Sequence, residues 1–581
     1  MNREKPVEMK KKGGWGFKDL LLVPVLLLTV YRFYLMYYAS WRIVANAYYD
    51  DALMVNNAMA LKQWILSGFS TQWLGDYSPA ILSKGLSYPF FLALFSLLNI
   101  PYPFAFCLLI VFSCLIFVMA IRPLKLNRYV QWLVYLFLLY NPVGFAVSIS
   151  MRIYRNAVLP WAVILVVSCF TAIYLRMDRK VKATIPWTVL GCLSFCWFWY
   201  LREDSVWLLP YVAVITILGL IFSILKKTFS WKRILLAVLP FVCLYAVKML
   251  YSEINLVNYG IFTTNDRNHS SFTDVMGLLN KIDDGETNQD TVWISRRSLQ
   301  LAYAASPTLD SLNHLDDVWD QVEDETGEAR GDFPSWAIRT AAAEDGYYKD
   351  AVTTEALFKK IKSELTEAYK NGKLVARKGF YVSPLVKPVT TDDLKKNFTF
   401  SLIVSKNIVL HYMECQMESK NIDASDAQAA AWQTVLHINL GSVSESVTKT
   451  ENQVMNTSNR IVQSFRTIAY LLAPLMAVGY ILLTIEAFLI LFKKRSSVEF
   501  VLPSWFISTG MLMTAFLEIY IAVLFISFIT TNPVDDAFYF YSSGAYALIA
   551  MTECITIIMG VKIIRRRFIF KRNEKAALPS D

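Results

Sequence analysis

Ten long apolar blocks interrupt the chain, at residues 18–38, 104–121, 129–148, 157–175, 187–200, 206–225, 234–251, 467–492, 500–528 and 538–564. Blocks of about 20 apolar residues are long enough to cross a bilayer as helices. Irregular backbone cannot face lipid, because its N–H and C=O groups find no partners there. The pattern therefore predicts an all-α, polytopic membrane protein of about ten transmembrane helices. Composition agrees, since 55% of the 581 residues are hydrophobic and only 18% are charged. The first block is too long for a removable signal peptide, and no small-residue cleavage site follows it.

A further apolar stretch at 86–100 is short and contains Pro89. Its length suits an interfacial or re-entrant segment better than a span. If it does not cross, the basic runs at 10–12, 122–128, 176–182, 226–233, 493–495 and 565–572 all share one side. That is the positive-inside pattern of a multi-pass plasma-membrane protein with both termini cytoplasmic. Three parts follow: a transmembrane module at 1–251 with a first outer loop at 39–103, an extracytoplasmic domain at 252–465, and C-terminal helices with a basic tail at 466–581.

The 252–465 segment holds 30 acidic and 21 basic residues, a net of −9, and the rest of the chain holds 36 basic and 17 acidic. The excess positive charge thus belongs to lipid-facing cytoplasmic loops, which argues against nucleic-acid binding. Seven of the eight cysteines lie in apolar blocks, and Cys415 is the lone cysteine of the 252–465 segment, so that segment cannot staple itself internally. It reads as mainly helical. Residues 334–373 carry helix formers ending at Asn371-Gly372, and 425–441 reads as a helix ending at Gly441. His269, His314, His411 and His437 are widely spaced and match no metal-ligand pattern.

Residues 48–91 concentrate polar groups just after the first apolar block. Asp50 and Asp51 are adjacent, Asp76 and Lys84 follow, and Met54, Ala58, Leu61 and Ile65 form one apolar helical stripe with Gly68 as a stop. An acid at a helix N-terminus is ordinary capping. Two in a row, beside a membrane and near a lysine, leave a carboxylate over for chemistry. Adjacent helical residues point about 100° apart, so one can act while the other caps or pairs with a cation.

This run of a long first helix, an acid pair, an amphipathic segment, a lysine and a short Pro-containing apolar stretch resembles the GT-C class of membrane glycosyltransferases. That class includes the aminoarabinose transferases of lipid A and the protein O-mannosyltransferases. The resemblance covers residues 20–225. In those families the first outer loop carries a catalytic Asp, usually as Asp-Glu; here Asp50 takes the first place and Asp51 replaces the Glu. Lys84, in "SKGLSYP", matches the family's lysine before a proline-rich turn. The resemblance implies transfer of a sugar from a polyprenyl-phosphate donor in the membrane lipid to an extracytoplasmic glycan, polymer or protein. It also implies a bacterial cell envelope. One of Asp50 and Asp51 takes the acceptor proton, and cations stabilise the leaving phosphate.

Those cations are expected at Lys84, Arg152, Arg155, Arg202 and Arg32. The first four lie in outer segments; Arg32 lies within a span, where a charge is costly and faces a cavity, a partner or, by snorkelling, the headgroups. Glu203, Asp204 and Asp76 are further acids, readable as ion-pair partners or as ligands of a divalent cation. Carboxylates suit Mg²⁺ or Mn²⁺, though no spacing demands one. Glu486, Glu518 and Glu553, in the last three blocks, support an alternative reading as a transporter or flippase. A surface assembly protein is the third alternative, for which ten spans exceed what an anchor needs.

Overall fold

The computed structural model describes residues 22–44, 50–268, 270–285, 291–414, 425–440, 448–492, 499–530 and 532–576. The basic run at 10–12, His269, Cys415, Gly441 and the basic run at 493–495 lie outside them. The described residues form a helical membrane protein with isolated β-bridges only. Seven helices are long and apolar enough to cross a membrane: Tyr102–Ala120, Val181–Trp199, Ser205–Leu225, Trp231–Tyr259, Lys449–Leu491, Val501–Ile526 and Ser543–Arg567. Three other expected spans are shorter helices, Leu22–Tyr37, Arg128–Leu139 and Leu159–Tyr174.

The first nine α-helices position the site. They are α1 Leu22–Tyr37, α2 Asp51–Leu66, α3 Ser87–Leu97, α4 Tyr102–Ala120, α5 Arg128–Leu139, α6 Leu159–Tyr174, α7 Ile185–Trp199, α8 Leu209–Leu225 and α9 Trp231–Tyr259. All 16 residues of α6 are buried, which suits a helix apolar on every face. It is the hub, packed on α4, α7, α8 and the last long helix. The block at 129–148 is not one helix. Asn127 caps α5 by accepting from the Val130 N–H at 2.8 Å, and Asn141-Pro142 stops it; a short 3₁₀ turn, Pro142–Phe145, follows. Proline cannot follow in the ladder because it has no N–H to give.

The stretch at 86–100 does not traverse the bundle. Its helix α3 has 11 residues, about 16 Å at 1.5 Å per residue. Ser87 at its start donates its N–H to Tyr200 O at 3.1 Å. Tyr102, just past its end, packs on Trp41 with ring centroids 5.1 Å apart. Tyr200 ends α7 and Trp41 follows α1, and these two ends are joined through Arg42, Arg152 and Arg202 to the turn before the last helix. At the opposite end, Arg176 donates to Ala120 O at 2.9 Å, Thr228 to Met177 O at 2.8 Å and Lys562 to Leu124 O. The connections thus sort into two ends. Asp76→Cys is expected to react with an impermeant thiol reagent on intact cells, and Asn127→Cys only after the membrane is opened. Both positions are exposed, and labelling of Asn127→Cys from outside would invert the orientation.

Helix α2 buries Met54, Ala58 and Leu61 and ends at Ser67, where Gly68 turns left-handed at φ +67°. Helix α9 runs on to Tyr259, where Gly260 (φ +77°) stops it. The following segment has its own core around Phe272, Leu279, Trp319, Ile338, Phe358 and Leu365. In it, the run at 334–373 is two helices, Phe333–Glu344 and Ala351–Lys370, separated at Gly346 (φ +79°). The helix expected to reach Gly441 instead spans Asp426–Leu436. His437 adopts a left-handed conformation and closes it with its N–H on Gln433 O at 2.8 Å. Thr391–Val409 packs along Val501–Ile526, with Tyr520 donating to Leu394 O at 3.2 Å.

Candidate active site

Asp50 and Asp51 begin α2 and point to different partners. Asp51 is fully buried and does not sit as a simple cap. The Arg152 guanidinium grips it through Nε (2.8 and 3.0 Å) and Nη2 (2.5 Å), and the Val44 N–H donates to it at 3.0 Å. Arg152 is aimed by a short parallel bridge between the Arg42 and Arg152 backbones. Asp50 occupies the N-cap position, yet its side chain makes no capping bond. It is 42% exposed, and its Oδ1 accepts from Lys84 Nζ at 3.0 Å and from the Tyr154 hydroxyl at 2.9 Å.

From there a ring of hydrogen bonds closes. Arg155 Nε donates to the Tyr154 hydroxyl at 2.9 Å, and Arg155 Nη1 to Glu203 Oε1 at 2.7 Å. The same Glu203 oxygen accepts the Gly85 N–H at 2.9 Å, which leads back to Lys84. Gly85 must be glycine, because a Cβ there would sit 2.2 Å from Tyr200 O. Burial alone would lift the Asp50 carboxyl, but the charges of Lys84 and Arg155 and two hydrogen bonds hold it well below the ordinary carboxylate range. Glu203 is half-buried, and although desolvation raises it, Arg155 and Lys84 bring it down to about 2. Burial pushes the Lys84 ammonium down, and Asp50 opposes that. At neutral pH Asp50 is therefore an ionised, partly open carboxylate.

Arg202 holds Asp204 through Nε (2.8 Å) and Nη2 (2.5 Å) and donates Nη1 to Tyr541 O at 3.0 Å. Eight of the residues expected from the sequence are thus brought together as four pairs: Asp50 with Lys84, Asp51 with Arg152, Glu203 with Arg155 and Asp204 with Arg202. The other two lie apart from this ring. Arg32 is buried against the turn after α5, donating to Gly144 O at 2.7 Å over the Phe145 ring, and Asp76 is exposed beside Gly75. Among the described residues no three His, Cys, Asp or Glu side chains converge on a metal-sized point. Each of the four carboxylates already faces a cation, so a divalent ion does not fit this arrangement.

The acids of the last three long helices differ from one another. Glu486 pairs with Arg567 at 2.7 Å, and Glu553 with the buried His411 at 3.3 Å. Glu518 is buried in Val501–Ile526. It accepts the Gly544 N–H at 3.1 Å, within electrostatic reach of Arg202 and Asp204.

A cleft of about 590 Å³ opens beside the ring, with Gly85, Arg202 and Glu203 in its lining. Val206, Leu209, Phe241, Leu244 and Tyr245 form an apolar wall from α8, α9 and the turn before α8, and Lys248, Asn265 and Arg267 add polar groups. The large segment also seats the loop that carries Lys84. Buried Arg339 grips Asp266 at 2.6 and 3.0 Å and donates to Pro79 O at 2.6 Å, and the Asp266 N–H donates to Leu82 O at 2.9 Å. Tyr77 stacks on Tyr348 at 5.6 Å. Sequence reasoning missed Tyr154, Lys248, Arg267 and Arg339. Tyr154 had a signal, its place between Arg152 and Arg155; the others had none.

No protein-family model matches the chain, and no curated protein matches it. Among solved structures the chain is similar to ArnT from Cupriavidus metallidurans in the apo state, at 10% identity and a TM-score of 0.30, over 95% of this chain and 78% of that one.

Proposed function

We propose that this protein is a membrane glycosyltransferase of the GT-C type, moving a sugar from a polyprenyl-phosphate donor to a hydroxyl of a cell-envelope glycan, polymer or protein outside the membrane. The observation that carries this reading is the pairing of Asp50 with its surroundings. A partly open, ionised carboxylate stands in a hydrogen-bonded ring that holds Lys84 and Arg155, beside a cleft with an apolar wall and a polar rim. A lipid-linked phosphate needs both surfaces. Its chain lies along Phe241, Leu244 and Tyr245, and its phosphate sits toward Lys84, Arg202 and Arg267. The resemblance of the first outer loop to that class supports the same reading.

The chemistry balances. Asp50 takes the proton from the acceptor hydroxyl as its oxygen bonds to the anomeric carbon. The bond from that carbon to the phosphate oxygen breaks, and the electron pair leaves with the lipid phosphate. Fixed cations stabilise the charge that builds there. Arg155 shares Glu203 with the Gly85 N–H and holds the Tyr154 hydroxyl, so it orders the ring. Purified protein given a polyprenyl-phosphate sugar and an envelope acceptor is expected to release free polyprenyl phosphate and yield glycosylated acceptor. Movement of the intact lipid-linked sugar across a vesicle membrane, with no release, would replace this reading with a flippase.

A further inference from the structure

Helix formation is interrupted just before the last long helix, at the five-residue π-turn Ala537–Tyr541. In a continuous α-helix the Phe540 and Tyr541 carbonyls would accept the N–H groups of Gly544 and Ala545. Those two N–H groups are taken elsewhere. Glu518 Oε1 accepts from Gly544 at 3.1 Å, and Ser542 O accepts from Ala545 at 3.1 Å. A carboxylate at a helix N-terminus is a favourable cap. A Cβ on Gly544 would lie 2.7 Å from a Glu518 carboxylate oxygen, so a larger residue there would push that carboxylate from its place.

The carbonyls of this turn accept side-chain donors from the connections that carry the site. Ser148 donates to Tyr539 O at 2.8 Å, Asn156 to Phe540 O at 3.1 Å and Arg202 to Tyr541 O at 3.0 Å. Three consecutive carbonyls therefore tie the turn to the α5–α6 and α7–α8 connections. The tie fixes the Phe540 ring, which stacks on Tyr154 with centroids 5.8 Å apart and planes 12° from parallel. The Arg152 guanidinium lies 4.7 Å over the Phe540 ring and 5.1 Å over that of Tyr154.

We propose that the Ala537–Tyr541 turn, cut out of the last helix by Glu518, is a positioning element whose Phe540 ring holds the Tyr154 hydroxyl on Asp50. Asp50 as the base rests on the glycosyltransferase reading; the positioning does not. The inference gives a buried acid of a spanning helix a task other than carrying an ion, and it makes the C-terminal helices part of the site. The charged and titratable groups facing Asp50 are Lys84 from its loop, Arg152, Tyr154 and Arg155 from the α5–α6 connection, Asp51 on its own helix and Tyr541 from the turn. Glu203 acts on it through Lys84 and Arg155.

The test reads Asp50 directly. Infrared spectra of protein carrying ¹³C-labelled aspartate, taken as wild type minus Asp50→Asn, report the pH at which its carboxylate takes a proton. Loss of the Tyr154 hydrogen bond removes one group that favours the charged form, so the protonation pH rises. Phe540→Leu keeps a side chain of similar bulk without the ring, and is expected to raise that pH by about one unit. Tyr154→Phe should match it, and Phe540→Trp should stay within a few tenths of wild type. An unchanged protonation pH in Phe540→Leu, or a shift in it that Tyr154→Phe does not share, would overturn the proposal. A wild type that transfers no sugar would end the enzymatic reading and leave this titration still decisive.

Discussion

Asp50→Asn is expected to lower sugar-transfer turnover about 10²–10⁴-fold, the usual contribution of a general base. The substitution keeps size and shape. It removes the proton acceptor and the charge paired with Lys84 at 3.0 Å. Donor affinity should hold or rise slightly, because the Lys84 ammonium is released toward the phosphate. The fold should hold too, since the position is 42% exposed and no capping bond is lost. Transfer rate, donor binding and melting temperature of the purified variant check each part. Turnover near wild type would remove Asp50 from the chemistry.

Its neighbour behaves differently. Asp51→Asn is expected to destabilise the protein by about 3–5 kcal/mol, the range for breaking a buried ion pair by removing one partner. Asp51 is fully buried, and its two oxygens accept three contacts from Arg152 and one from the Val44 N–H. A neutral amide cannot balance that guanidinium, and its NH₂ would face donors. Arg152→Ala should cost a similar amount, and the double variant should cost less than the sum, as expected for residues in contact. Thermal unfolding of the three variants in one detergent checks this. A melting temperature for Asp51→Asn close to that of Asp50→Asn would contradict the burial argument.

The two aspartates also show what a sequence makes legible. That they lead separate lives follows from their adjacent places on a helix. Which one is sealed does not, because the deciding partner Arg152 is 101 residues away. Spans were legible because lipid demands long apolar runs, and the failure at 129–148 came from one Asn-Pro step inside such a run. Lys84, Arg155 and Arg202 were visible as cations out of place in short outer segments. Arg267 and Arg339 sit in a long segment rich in both charges, where one more arginine carries no signal. Phe540 is an aromatic residue near a membrane boundary, an ordinary place for one. Its tie to the site runs through bonds such as that from Arg202 to Tyr541, across 339 residues. Periodicity and composition are local and cannot encode such a pairing.

The seam between the large segment and the Lys84 loop limits how a substrate can reach the carboxylate. Lifting the segment away as a lid would strip Arg339 from the Pro79 carbonyl and part the Asp266 N–H from Leu82 O. It would also pull apart the stacked Tyr77 and Tyr348 rings and bring the buried Arg339 to the surface. Hinged opening is therefore the expensive route. The cleft offers a cheaper one, because Val206 and Tyr245 on its apolar wall are already 53% and 63% exposed on helices of spanning length. For the lipid-linked donor proposed above, this route lets the lipid slide in from the flank while the roof stays shut, so its traffic would be lateral diffusion in the bilayer rather than a gating motion.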